Sequence, residues 1–120
     1  MDVKQAFISA LEPLGYPIYL QGSISQNTPY PPSFFTFWNS ESFERKSYDN
    51  RETFIEWDFN LNFYSNDPTT VNSVLLDAKI VLKRAGFIVG GKGYDVLSDE
   101  PTHTGRGTDV IYLERMIEND

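Results

Sequence analysis

The stretch from Phe54 to Tyr64 constrains the fold most, because apolar and polar side chains alternate along it without a break. Its apolar face holds Ile55, Trp57, Phe59, Leu61 and Phe63, and its polar face holds Glu56, Asp58, Asn60 and Asn62. This period of two residues is typical of a half-buried strand. A slip of one residue would expose all five apolar side chains, so the register is tightly specified.

A helix of about five turns is predicted directly after this strand. Asp67 is placed to cap it and Pro68 to occupy its first turn, while Gly86 closes it after Lys83 and Arg84, two cations that suit the helix C-terminus. Its apolar stripe comprises Val71, Val74, Leu75, Ala78, Val81, Leu82 and Ala85. We expect this strand and this helix to form the centre of the core.

The remaining elements are shorter. An N-terminal helix is predicted after Asp2, with an apolar face that ends near Pro13 and Gly15. That face consists of Val3, Phe7, Ala10, Leu11 and Leu14. Strands are predicted over 16–22, 34–38, 87–89, 94–97 and 108–114, with 99–107 as a loop and with 23–33 and 39–51 as flexible loops or arms.

These elements predict a single α+β domain spanning residues 1–120. The order is α-β-β-β-α-β-β-β, with two helices packed on one face of a mostly antiparallel sheet. The length and the 40% of hydrophobic residues suffice for one core and exclude a disordered chain.

The net charge and the amino-acid composition exclude some classes of binding site. A formal net charge of -7 argues against binding to the DNA backbone, so a protein partner is expected. The absence of cysteine excludes disulfides and thiolate metal sites. Since the sequence shows neither a membrane-spanning apolar run nor a secretory leader, we expect no membrane association and a chain that stays in the cytoplasm.

Two stretches resemble sites of enzyme chemistry. Asp95, Asp99, Glu100 and His103 are hard and borderline metal ligands in a short window, although a turn with solvated carboxylates explains them better. The run 90–93 is glycine-rich with a lysine but lacks the spacing of a phosphate-binding loop, so a hairpin turn is predicted there. The single histidine and the lack of a nucleophile elbow give no support to a hydrolase.

Two apolar surfaces point instead to binding. Leu76 and Ile80 lie one turn apart on the back of the main helix, an arrangement that fits self-association and equally a chance exposed pair. Their polar rim is predicted to comprise Ser73, Asp77, Lys79 and Lys83. The aromatic group around Tyr30 comprises Phe34, Phe35, Phe37 and Trp38. Core packing or partner contact explains it better than nucleic-acid stacking, since its neighbourhood has no Lys or Arg until Arg45.

Several blocks of the chain together resemble one family. They are Trp57-Asp58-Phe59, Tyr64-Ser65-Asn66-Asp67-Pro68, Ala85-Gly86-Phe87-Ile88-Val89, Gly91-Lys92-Gly93-Tyr94-Asp95 and Ser98-Asp99-Glu100-Pro101-Thr102-His103-Thr104-Gly105-Arg106-Gly107. The set is similar to small proteins encoded between the head and tail genes of long-tailed phages and prophages of Gram-positive bacteria. Those proteins include head-tail joining and tail terminator proteins.

The resemblance implies a virion protein of the tail or neck, assembled in the host cytoplasm. It implies a homo-oligomeric ring, commonly a hexamer, between the head connector and the tail tube, with no enzymatic activity, cofactor or metal. The predicted partner contacts are Tyr30, Phe43, Tyr48, His103 and Arg106. A minor capsid or tail-tube-like component, or a metal-dependent enzyme using the Asp95 to His103 window, are the alternatives.

Overall fold

A computed structural model describes residues 2–20, 30–46, 53–91, 93–98 and 102–116 of the chain. It confirms the predicted α+β class and the element order. The elements are α1 (Val3–Leu11) with a 3-10 turn (Glu12–Leu14), β1 (Ile18–Leu20), β2 (Ser33–Lys46), β3 (Thr53–Ser65), α2 (Pro68–Arg84), β4 (Ile88–Val89), β5 (Tyr94–Val96) and β6 (Thr104–Met116).

The predicted central strand is the middle of the sheet. The strand order is β1-β2-β3-β6-β4, and β5 also pairs with β6. β3 lies antiparallel between β2 and β6 along its whole length, whereas β1 runs parallel to the start of β2. The six strands therefore form one mostly antiparallel sheet around the alternating segment.

The hairpin predicted at 90–93 is wrong. β4 and β5 both run antiparallel to β6, with Val89 opposite Val110 and Tyr94 opposite Gly107, so they are two pieces of one edge strand. The chain between them carries more residues than the facing part of β6, and positive φ angles of 73° at Gly91 and 81° at Gly93 absorb the excess.

The core lies between the two helices and one face of the sheet, here called the inner face. Phe59, Leu61 and Phe63 of β3 are at most 1% exposed, and Phe7 of α1 stacks on Phe59 with ring centroids 4.8 Å apart. The α2 side of the core is formed by Val71, Val74, Leu75, Ala78 and Leu82. The register predicted for β3 is therefore confirmed.

Trp57 departs from that prediction, since it is only half-buried and packs against the margin of the core. Its indole Nε1 donates to Glu114 Oε1 across the strand pair at 3.2 Å. α2 follows the end of β3 at Ser65 and runs back over the sheet. The chain joins the sheet again at Ile88, which pairs with Ile111. The helix layer therefore ends near the level of Trp57.

Two loop predictions need correction. Residues 39–46 of the predicted loop 39–51 belong to β2. They are polar because this part of the strand runs past the helix layer, and not because they lack regular structure. β6 begins at Thr104, so the predicted loop 99–107 is wrong for its last four residues. Residues 23–29 and 47–51 lie outside the described part of the chain.

Gly105 and Gly107, which favoured a loop in the sequence, serve a packing purpose. A Cβ at Gly105 would lie 2.7 Å from the Tyr64 ring and from Val96, and one at Gly107 would collide with Asn62 Oδ1. The glycines thus let side chains of β3 and β5 pack directly on the backbone of β6.

No helix of the described chain is long and apolar enough to cross a membrane.

Candidate interaction surface

Leu76 and Ile80 form an exposed apolar pair on α2, as the sequence predicts. They are 59% and 49% exposed, opposite the buried stripe of the same helix. Ser73, Asp77 and Lys83 are exposed around them. An apolar centre with a polar rim has the composition of a protein contact surface.

Lys79 does not belong to that rim. It is 8% exposed, and its Nζ donates to the carbonyl oxygen of Gly91 at 2.6 Å. The hydrogen bond ties α2 to the segment between β4 and β5. Sequence spacing alone placed Lys79 beside Ile80 but carried no information on the carbonyl group that it reaches.

A shallow cavity of about 130 Å³ lies beside the apolar pair, lined by Asn72, Leu75, Leu76 and Lys79. Leu75 also approaches Gly93, since a Cβ added at Gly93 would lie 3.3 Å from Leu75 Cδ2. Both Gly91 and Gly93 belong to the β4–β5 margin of the sheet. We call the surface formed by Leu76, Ile80 and this cavity the α2 flank.

The opposite, outer face of the sheet carries a separate aromatic cluster around Phe34. This residue is 2% exposed and contacts the rings of Tyr30, Tyr64 and His103 at centroid distances of 5.4, 5.3 and 5.9 Å. The His103 Nε2 lies 2.8 Å from the carbonyl oxygen of Pro31, and its Nδ1 lies 3.0 Å from Thr102 Oγ1. Tyr30 and His103, two predicted partner contacts, therefore lie together but are engaged within the chain.

Of the metal site considered in the sequence, the described residues include only Asp95 and His103, which are not brought together. Asp95 lies opposite Arg106 and so shares the inner face with Phe63, whereas His103 packs on the outer face. The described residues contain no group of three potential ligands. Asp99 and Glu100 lie outside those residues.

Arg106, another predicted partner contact, forms an ion pair with Asp95 at 2.7 Å. Its side chain is 23% exposed. Of the two remaining predicted contacts, Phe43 lies in β2, where its side chain is outside the described part, and Tyr48 lies outside it altogether.

Apart from Trp38, which belongs to the aromatic group considered for partner contact, the sequence did not reveal the exposed apolar side chains of the outer face. Trp38, Ile88, Tyr94 and Leu113 are between 38% and 52% exposed. Their common face depends on which residues of β2, β4, β5 and β6 lie opposite one another. That register appears only once the strands are paired, so no local signal could have identified the group.

A small polar network adjoins this apolar group. Tyr94 Oη donates to Asp109 Oδ1 at 3.0 Å, and Asn60 Nδ2 donates to both of them. Burial, followed by the hydrogen bond to Asp109, raises the pKa of Tyr94 above its ordinary value of 10.0. The network joins the side chains of three strands and stabilises their register.

Comparison with known proteins matches this chain to no family model and to no curated protein.

Proposed function

We propose that this chain is a structural subunit of a long-tailed phage, which self-associates through the α2 flank into a ring at the head-tail junction. The observation that carries the proposal is the exposure of Leu76 and Ile80 on the side of α2 opposite its buried stripe, with Leu76 lining an open cavity. The resemblance noted in the sequence supplies the phage setting.

The physical support is the free energy of burying this surface. Apolar area removed from water contributes roughly 25 cal/mol per Å². The cavity approaches in size the roughly 150 Å³ apolar cavities that hold a benzene molecule, so it suits one apolar side chain of a neighbour. Every copy of the chain carries the same flank, so each copy can bind a further copy in the same way.

The test is the double substitution Leu76→Lys and Ile80→Lys. We expect the variant to keep its circular dichroism spectrum and to stay monomeric in light scattering at concentrations where the natural chain assembles, because two new charges would be buried without partners. Leu97→Lys is the matched control, since Leu97 is 97% exposed and does not line the cavity beside Leu76. It should assemble as the natural chain does.

An assembled double variant would contradict the α2 flank as the interface, and an unfolded one would place the pair in the core. The phage setting has its own test, which is labelling of virions with an antibody against this chain. Label at the junction of head and tail supports a neck ring, whereas label along the tail or over the head indicates a tube or capsid component instead.

A further inference from the structure

A row of three side chains crosses the outer face of the sheet near its centre. Trp38 of β2 and Asp109 of β6 both pair with Asn60 of β3, and the Cβ atoms of directly opposite residues lie about 5 Å apart. Tyr94 of β5 reaches into this row, because its hydroxyl group contacts both Asn60 and Asp109. We call Trp38, Asn60, Asp109 and Tyr94 the outer row.

Trp38 is the member of the outer row that the fold engages least. Its side chain is 47% exposed. Within the described part of the chain, its ring contacts no other aromatic ring and its indole Nε1 donates no hydrogen bond. Trp57, in contrast, is half-buried and bonded to Glu114. An exposed tryptophan of this kind is typical of a contact with another molecule.

Two oxygen acceptors of the outer row face away from its polar network. Asn60 Nδ2 donates to Tyr94 Oη at 2.5 Å and to Asp109 Oδ1 at 3.3 Å, so the amide nitrogen is turned towards β6 and the amide oxygen away from it. Asp109 accepts these hydrogen bonds at Oδ1 alone. Neither Asn60 Oδ1 nor Asp109 Oδ2 accepts a hydrogen bond from the described residues. Both oxygens are therefore available to a donor outside the chain.

The charge of the outer face favours a cationic partner. Among the side chains described there, Glu56, Asp58 and Asp109 are acidic and Arg115 is basic. The whole chain carries a formal net charge of -7. A positively charged group is therefore attracted to this face, and a negatively charged group is repelled.

An aromatic ring beside two oxygen acceptors suits arginine better than other cations. A guanidinium group stacks on the face of a tryptophan ring, and its planar set of N–H groups donates to two acceptors at once. The ammonium group of lysine is a compact, strongly hydrated charge without that planar geometry. Trp38 supplies the ring, and Asn60 and Asp109 supply the acceptors within one row of the sheet.

Further exposed apolar side chains lie next to the outer row. Ile111 and Leu113 follow Asp109 on the outer face of β6, and Ile88 pairs with Ile111. Ile88 is 52% exposed and Leu113 is 39% exposed. Alternate residues of an extended segment are about 6.6 Å apart, which is also the spacing from Asp109 to Ile111 along β6. A segment lying along β6 with an arginine at Asp109 thus places its next residue on the same side over Ile111.

We propose that the outer row binds an arginine side chain of another protein, with the guanidinium group stacked on Trp38 and bonded to Asn60 Oδ1 and Asp109 Oδ2. The arginine belongs to an extended segment, and an apolar residue two positions further along packs on Ile88 and Ile111. This contact lies on the face of the sheet opposite the helices, so it adds a partner and does not depend on self-association through the α2 flank.

The two tryptophan indole signals in a heteronuclear NMR spectrum of the full chain test the proposal, with acetyl-Arg-Gly-Leu amide as the probe below the concentration of assembly. The Trp38 signal should shift saturably, while that of Trp57, bonded on the inner face, should not. Trp38→Phe assigns the two signals. The matched peptide with citrulline in place of arginine keeps the planar group without the charge, and it should bind about tenfold or more weakly.

A substitution at Asp109 tests the carboxylate. Asp109→Asn removes the charge but keeps an oxygen that accepts a hydrogen bond from the Tyr94 hydroxyl, so the variant should fold. It should weaken binding of the arginine peptide by about tenfold or more. Asp77→Asn, which removes a charge at an exposed site on α2, is the matched control and should leave binding unchanged.

The outcomes decide between this contact and its alternatives. Equal binding of the arginine and citrulline peptides overturns the proposal, as does unchanged binding by Asp109→Asn. A shift of the Trp57 signal as large as that of Trp38 indicates nonspecific binding and also overturns it. An arginine peptide that dissociates the assembled chain identifies a second copy as the occupant and overturns the assignment to another protein. A chain that never assembles contradicts the proposed function alone.

Discussion

At the scale of single residues, the two glycines of β6 show how neighbouring side chains can leave no room for a Cβ atom. Gly105 lies under the Tyr64 ring and Val96, each 2.7 Å from where a Cβ would be. Gly90, in contrast, has nothing within 4 Å of that position. The same substitution should therefore have different effects at the two sites.

We expect Gly105→Ala to lower the free energy of unfolding by about 1–3 kcal/mol, the usual cost of forcing extra volume into a packed site. Gly90→Ala, the matched control, should change it by less than about 0.5 kcal/mol. Urea unfolding of both variants measures the difference. Equal stabilities would contradict the packing of Tyr64 and Val96 on the β6 backbone.

Two aromatic residues of β3 are expected to differ in how much they contribute to the free energy of unfolding, because they are buried to different extents. Phe59 is 1% exposed and stacks on Phe7, so Phe59→Ala should cost about 3–5 kcal/mol. Trp57 is half-buried, and Trp57→Ala should cost about half as much because less apolar area is lost. A larger loss for Trp57 in denaturant unfolding would show that the helix layer reaches further along β3.

At the scale of elements, α2 begins at a cap that links its stability to pH. Asp67 accepts hydrogen bonds from the Thr69 hydroxyl at 2.7 Å, the Thr69 amide at 3.1 Å and the Thr70 hydroxyl at 3.1 Å. The Thr69 hydroxyl is the largest of these influences, and together they hold the pKa of Asp67 below its ordinary value of 3.8. The ionised carboxylate therefore stabilises the folded state.

Because the pKa is lowered on folding, this stabilisation is present above pH 3.8 and is lost as the pH falls through the lower folded value. Asp67→Ala should lower the melting temperature at pH 7, and its difference from the natural chain should shrink below pH 3.8. Asp77→Ala, at an exposed site in the middle of the same helix, is the control. A difference for Asp67→Ala that stays constant with pH would exclude the ionised cap.

Local patterns predicted the elements whose signals are periodic. The alternation of β3 and the stripe of α2 each depend on side chains close in sequence, and both are confirmed over most of their length. In the stripe, Val81 is only partly buried, and Ala85 is exposed because it caps the helix instead of belonging to it. The second half of β2 and the start of β6 were missed, because their conformation depends on pairing with β3. The second half of β2 is polar and the start of β6 is glycine-rich, and both compositions are typical of loops.

The candidate surface was predictable in part for the same reason. Leu76 and Ile80 follow from helical spacing alone, and their exposure agrees with the prediction. Lys79, equally well placed by spacing, is held inward by a carbonyl group contributed by a distant segment. The separation of Asp95 from His103 onto opposite faces likewise depends on strand register rather than on sequence distance.

At the scale of the whole molecule, the order in which the strands occur along the chain determines when the sheet is complete. β3 gains its first long neighbour from the preceding strand, β2, but its other side is covered by β6, the last strand described. Thr53 pairs with Met116, so closing this contact requires a long loop and slows folding.

During synthesis, the ribosome therefore releases β2 and β3 well before β6. Until residues 104–116 have emerged, one side of the central strand β3 lacks the neighbour that β6 provides in the finished sheet. In that interval β3 can pair with the β3 of another nascent chain on the same messenger RNA. The strand order therefore leaves one side of β3 open to such contacts until β6 is released.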